Sequence, residues 1–197
     1  MNVPLIFRHG AAETAFIAAV AAWAVFEFVM RVRQRLRAGR PATPDASAIV
    51  LVPCLAAAVI ATQVLGRRGG RLWPGGLVWP VVAGVALIAA GIGLRAWSIA
   101  TLGRFFQYQI QIQPGHLVVT GGPYRYVRHP SYTGIAIVLT GIALASDDVW
   151  SLVAAAALGG AGLAIRIHAE ERQLAQALGG EYEQFAAGRK RLVPGIW

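Results

Sequence analysis

Arg166 and Glu170 stand four residues apart in RIHAEE, the stretch from Arg166 to Glu171, where a long apolar run ends. That spacing puts both side chains on one face of a helix. A guanidinium can grip an oxyanion, and a carboxylate can hold an ammonium or stand near another cation. The same pair also reads as an ordinary helix ion pair, although arginine N-terminal to glutamate is the weaker order for that purpose. Glu170 and Glu171 together are costly near a membrane unless something cationic sits close.

A second cluster, GGPYRYVRHPSYTG from Gly121 to Gly134, sets Tyr124, Tyr126 and Tyr132 among Arg125, Arg128 and His129. Pro130 suits the first turn of a helix, where its missing N–H costs nothing. The amides of Ser131 and Tyr132 are then expected to point out of the helix start. That end carries partial positive charge and attracts a carboxylate. The tyrosines offer flat faces for an aromatic ring. The cluster reads equally as a seat for a ligand with a carboxylate at one end and a purine at the other, or as a plain membrane interface, where Tyr and Arg are common.

Other chemistry finds less support. His9, His116, His129 and His168 are scattered without metal-ligand spacing, and no metal site is expected. Cys54 is the only cysteine and lies in an apolar run, so it reads as a small buried hydrophobe. Gly159, Gly160 and Gly162 lie inside an apolar stretch with no strand before them. They suit close helix packing rather than a dinucleotide loop.

The elements that must carry these residues are greasy ones. Of 197 residues, 56% are hydrophobic and only 14% charged, with a mean hydropathy of +0.55. A soluble domain is nearer a quarter charged, so much of the surface is expected to face lipid. The net charge of +9 comes from arginines gathered between apolar runs. Anionic lipid headgroups, not nucleic acid, are the expected counter-charge.

A crossing takes roughly 20 apolar residues. Runs of that order cover about Ala11–Met30, Ser47–Leu65 and Leu77–Leu102, and two shorter ones cover Ser131–Ala145 and Val149–Ile165. The first is not of the cleavable-signal pattern and is expected to be kept. Arg31, Arg33, Arg35, Arg37 and Arg40 read as a basic loop, and Ser146, Asp147 and Asp148 as the tip of a helical hairpin. After His168 a helix is expected to leave the membrane and end at Gly179–Gly180, followed by a tail on the interface.

The fold expected is therefore an all-α membrane bundle of about five helices. Residues 1–102 form its N-terminal half and 103–197 the half that carries the chemistry. Five spans put the Arg31–Arg40 loop, the Gly103–Pro130 segment and the tail on the cytoplasmic side by the positive-inside rule. The Arg67, Arg68, Arg71 loop violates that rule. Arg95, near the cytoplasmic end of the third run, is expected to snorkel to the interface.

HLVVTGGPYRYVRHPSYTG from His116, RIHAEE from Arg166, GGEYEQF and the terminal RLVPGIW resemble the integral-membrane methyltransferases typified by isoprenylcysteine carboxyl methyltransferase. Phospholipid N-methyltransferases are wider relatives. The resemblance covers roughly the last 90 residues. It implies a membrane bundle that binds S-adenosylmethionine without a Rossmann domain. It also implies that Gln109, His116, Leu117, Val118, Val119, Tyr124, His129, Pro130, Ser131, Tyr132 and Glu170 contribute to the cofactor pocket. Arg166 matches the family's arginine for the acceptor carboxylate.

These residues fit a lipophilic or prenylated carboxylate acceptor. A carboxylate is ionised at neutral pH and needs no general base, whereas an amine acceptor needs one and would be repelled by Arg166. A phospholipid or other amine N-methyltransferase is the second reading. A transporter or assembly protein, the third, leaves the block from His116 to Glu170 unexplained. Oligomeric state is not set by the sequence.

Overall fold

The computed structural model describes residues 10–38, 46–66, 72–73, 78–108 and 117–197. Helices dominate them: α1 Gly10–Ala38, α2 Ala46–Leu65, α3 Trp79–Leu102, α4 Pro130–Ala145, α5 Val149–Leu178 and α6 Gly180–Ala187. Among the described residues the only β-type pairing is an isolated bridge between Val127 and Lys190. Among the described residues four helices, α1, α2, α3 and α5, are long and apolar enough to cross a membrane, and the chain forms an all-α membrane helical bundle. α4 has 16 residues, about 24 Å at 1.5 Å per residue.

α3 and α4 form the centre of the bundle. Their glycines recur at seven-residue spacing, Gly84 and Gly91 facing Gly141 and Gly134, so the two helices run antiparallel. A Cβ on Gly91 would lie 2.6 Å from the Gly134 carbonyl oxygen, and one on Gly84 2.5 Å from that of Gly141. Small residues let backbones approach where hydrophobic transfer offers no drive between helices. Beside this crossing, Phe16 of α1 packs with Val81, Ile88, Val138 and Ile142. On another side Ala58 of α2 meets Ile135, Leu139 and Leu163.

Three expectations change in detail. Arg31, Arg33 and Arg35 lie in helix, not loop, because α1 continues to Ala38. Arginine is a good helix former, and the first breaker in the sequence is Gly39. Arg40, Arg67, Arg68 and Arg71 fall outside the described residues. The last apolar run and the helix expected to follow it are one element, α5, with a π-turn at Ala155–Gly159. The tail after α6 does more than lie on a surface. It folds back on the chain before α4, with Arg128 N donating to Lys190 O at 2.8 Å and His129 N to Arg191 O at 2.9 Å.

The hairpin tip forms as read. Asp148 caps α5 by accepting from Ser151 N at 2.8 Å, and Asp147 adopts φ of 51°. Both aspartates are buried. Leu72 N and Trp73 N donate to Asp147 O and Oδ1 at 3.2 and 3.3 Å. Gly179 ends α5 with φ of 53°, as the double glycine predicts.

Candidate active site

A cavity of about 380 Å³ opens among α1, α2, α4, α5 and the segments before α4. The expected residues Leu117, Val118, Val119, Tyr124, His129, Ser131, Tyr132, Arg166 and Glu170 all line it. Pro130 does not. It is buried in the first turn of α4 and sets that helix's start. Gln109 and His116 lie outside the described residues.

The polar centre is built around one hydroxyl. Tyr132 Oη donates to Glu170 Oε2 at 2.6 Å and accepts from Arg166 Nε at 3.0 Å. Arg166 Nη1 donates to Ser47 Oγ and Nη2 to the Tyr108 carbonyl, each at 2.8 Å. The helix pair of the sequence is thus joined through a tyrosine from α4, and Arg166 is buried. Its neighbours Ser47, Tyr132 and Tyr108 come from α2, α4 and the segment after α3.

Glu171 faces the other way. Its Oε1 lies 2.9 Å from Arg128 Nη1 and 3.2 Å from His129 Nε2, and its Oε2 lies 2.9 Å from Arg191 Nη2. The two arginines are the cations that two adjacent glutamates required. They tie α5, the His129–Pro130 turn and the tail together, and leave Glu170 to face the cavity. The His129 and Tyr132 rings stack with centroids 5.7 Å apart.

The helix start differs in one respect from expectation. Tyr132 N is not free, since it donates to His129 O at 3.0 Å within the first turn. A side chain supplies positive charge there instead. Arg95 Nη1 donates to Ser131 Oγ at 2.7 Å.

Arg95 therefore does not snorkel. It is 3% exposed and is held by an ion pair to Glu27 of α1, with Nη2–Oε2 at 3.0 Å. The glycine register explains the inward path: Arg95 lies one turn beyond Gly91, and Ser131 lies one step before Gly134, on the facing side of the crossing. The expectation weighed only distance to the interface, and the side chain found partners inside the bundle.

One wall of the cavity is aromatic and apolar. Tyr124, Tyr182 and Phe185 cluster with Val118, Val119, Leu174 and Leu178. Gly122 permits the turn that delivers Tyr124: its φ is 54°, and a Cβ there would lie 2.7 Å from Thr101 Oγ1. Burial first, then the nearby Glu170 charge, pushes the Tyr124 phenol well above its usual range. Tyr108 is raised by burial and by Glu27. Both therefore stay protonated and able to donate. The opposite wall, Trp23 and Ala24 of α1 with Leu51, Val52, Leu55, Ala56 and Val59 of α2, is apolar. Ala24, Val52 and Ala56 are exposed on the bundle surface. The cavity can thus hold a flat ring and charged groups at one end and an aliphatic chain at the other.

The residues from Gly84 to Gln176 match the model of the isoprenylcysteine carboxyl methyltransferase (ICMT) family. Over this stretch the chain is similar to the ICMT family. It is 36% identical over 110 residues to protein-S-isoprenylcysteine O-methyltransferase B of Arabidopsis thaliana, covering 55% of this chain and 56% of the relative. Protein-S-isoprenylcysteine O-methyltransferase A of the same plant is 36% identical over 118 residues, 59% of this chain and 60% of the relative. The enzyme of that name from Schizosaccharomyces pombe is 31% identical over 114 residues, 57% of this chain and 47% of the relative. The chain spans about half the length of the curated relatives it matches.

The ICMT match begins earlier than the resemblance did and stops before GGEYEQF. It includes Arg95, Tyr108, Tyr132, Arg166, Glu170 and Glu171. Glu27, Trp23, Ser47 and the lining residues of α2 lie outside it, as do Tyr182 and Phe185. Sequence reasoning missed the contribution of α1 and α2. The available signal was Glu27, an acid in the middle of a greasy helix whose charge demands a partner.

Proposed function

We propose that this protein is a multi-pass membrane methyltransferase. It esterifies the carboxylate of an isoprenylcysteine-like or similarly lipophilic acceptor, with S-adenosylmethionine as methyl donor. One observation carries the reading: Tyr132 joins Arg166 to Glu170 in a cavity that is polar at its centre and apolar toward α1 and α2. The match of residues 84–176 to the ICMT family model supports it, and the relatives that the chain resembles bear the names of isoprenylcysteine methyltransferases.

The residues present fit the donor. Tyr124, Tyr182, Phe185 and Leu174 offer a face for an adenine ring, and Glu170 a carboxylate for an ammonium. Ser131 and Arg95 at the start of α4 suit a carboxylate. S-adenosylmethionine, when bound, would supply an activated methyl on a positively charged sulfur for transfer to an ionised carboxylate oxygen. Arg166 orients the acceptor carboxylate through one oxygen and leaves the other free to attack. Glu170 and Tyr132 hold the donor side in register with it. The surrounding apolar side chains exclude water, which would blunt the nucleophile. No proton has to be removed, in keeping with a site in which four guanidiniums, Arg31, Arg95, Arg128 and Arg166, border the cavity. Those charges disfavour an ammonium acceptor.

The acceptor's tail would enter from the bilayer between α1 and α2, past Ala24 and Ala56. Arg31, Arg33, Arg35, Arg128 and Arg191 belong to the end of the bundle that holds the site. The positive-inside rule makes that end cytoplasmic.

The test supplies methyl-labelled donor and N-acetyl-S-farnesylcysteine to membranes holding the protein. Label that enters the organic phase and is released by mild base as volatile methanol marks a carboxyl ester. Label in the lipid fraction that resists base marks an amine product and defeats the ester assignment.

A further inference from the structure

Tyr108 links α1 to Arg166. Its main-chain carbonyl accepts from Arg166 Nη2 at 2.8 Å. Its main-chain N–H donates to Gln34 Oε1 at 2.8 Å, and its hydroxyl donates to Glu27 Oε2 at 2.9 Å. The Arg31 guanidinium lies over its ring, 5.1 Å from the centroid. Glu27, Arg31 and Gln34 follow each other at steps of four and three, so they share one face of α1. That face grips a single residue at its backbone, its ring and its hydroxyl. Glu27 is fixed in turn by its ion pair with the buried Arg95.

A buried ion pair contributes little net stability compared with a well-packed apolar pair. Its use here is better sought in position. A guanidinium is a rigid planar fork, so anchoring one of its nitrogens fixes where the others point. We propose that α1 is a positioning element of the site: its Glu27–Arg31–Gln34 face sets Tyr108, and the Tyr108 carbonyl sets the orientation of Arg166 toward the acceptor. The proposal rests on the reading of Arg166 as the acceptor's anchor. It concerns a helix outside the stretch that matches the ICMT family model.

The experiment uses the whole protein in detergent micelles, labelled donor, N-acetyl-S-farnesylcysteine as acceptor, and S-adenosylhomocysteine titrated separately as the donor-side probe. Gln34→Leu removes the acceptor for the Tyr108 N–H. It should lower kcat/KM for the farnesylcysteine by about three- to tenfold, the range for one neutral hydrogen bond, and leave the S-adenosylhomocysteine Kd unchanged. Gln34→Glu restores an acceptor for that N–H and should recover most of the loss. Tyr108→Phe should act in the same direction as Gln34→Leu. In an Arg166→Lys background the Gln34→Leu penalty should vanish, because the residue it acts through is gone.

Penalties that add in full to that of Arg166→Lys would overturn the proposal. So would equal losses on donor and acceptor sides, or an unmoved acceptor constant in an active protein. If the unaltered protein neither binds S-adenosylhomocysteine nor transfers label, the methyltransferase reading itself fails and takes this proposal with it. Activity in the unaltered protein with silent variants sinks the proposal alone.

Discussion

A hydroxyl that accepts from one charged side chain and donates to another ties their positions together. Tyr132 does this for Arg166 and Glu170, which gives the two residues separable roles and a shared dependence. Arg166→Lys keeps the charge but loses the planar fork, so it should reduce kcat/KM for a carboxylate acceptor while donor binding stays nearly intact. Glu170→Gln should weaken S-adenosylhomocysteine binding first. Either change removes about one charge-assisted hydrogen bond, about 1.5–3 kcal/mol, or about ten- to a hundredfold in the affected constant. Tyr132→Phe keeps the ring beside His129 but should move both constants, because it releases both partners. Separate titrations of donor product and acceptor decide this, and equal small effects in all three variants would reduce the trio to helix support. Arg166, Glu170 and Tyr132 were legible because their spacing and neighbours form a motif. Glu27 and Tyr108 were not, because their meeting depends on how α1 turns against α3, which local spacing does not encode. Arg95 was seen but misdirected, since hydropathy gives depth in a membrane and not the face on which partners wait.

At the scale of elements, the site depends on how closely α3 and α4 approach. Gly91 and Gly134 bring backbones into contact one turn from the place where Arg95 reaches Ser131. Replacing Gly91 by valine would force the helices apart, since even a Cβ would lie 2.7 Å from Val138 Cγ2 as well as 2.6 Å from the Gly134 carbonyl. Overpacking of this kind costs about 1–3 kcal/mol. Gly91→Val should therefore lower the melting temperature in detergent and weaken S-adenosylhomocysteine binding, by displacing the start of α4. Gly93, which has nothing within 4 Å of its would-be Cβ, is the control: Gly93→Ala should melt like the unaltered protein. A Gly91→Val protein with unchanged melting and binding would show that the crossing tolerates separation. Most elements were legible, because apolar runs and breakers such as Pro130, Asp148 and Gly179 mark helices by local chemistry. The extension of α1, the π-turn in α5 and the return of the tail onto Arg128 and His129 were not. Each is settled by contacts between residues far apart in sequence, as Thr133 Oγ1 donating to Leu192 O at 2.8 Å illustrates.

On the scale of the whole molecule, the bundle joins two environments in one cavity, and its apolar half comes from helices outside the stretch that matches the ICMT family model. Trp23 and Ala24 of α1 face Leu51, Val52, Leu55 and Ala56 of α2 across it. A tail entering from the bilayer leaves lipid, not water, so the cavity gains little from hydrophobic transfer itself. Selection among acceptors then rests on whether a chain of given length fits. Ala56 is the place to test this, because it is small, lines the cavity and reaches the bundle surface. Ala56→Trp should crowd the space that a farnesyl chain needs, at a cost of about 1–3 kcal/mol for overpacking, or about five- to a hundredfold in kcat/KM. N-acetyl-S-farnesylcysteine should lose most of its turnover, while an S-prenylcysteine carrying a single five-carbon unit should lose little. S-adenosylhomocysteine should bind as before, since its proposed seat lies toward Tyr124 and Tyr182. Equal losses for both chain lengths would mean that the tail runs elsewhere, and the wall formed by α1 and α2 would then serve packing alone.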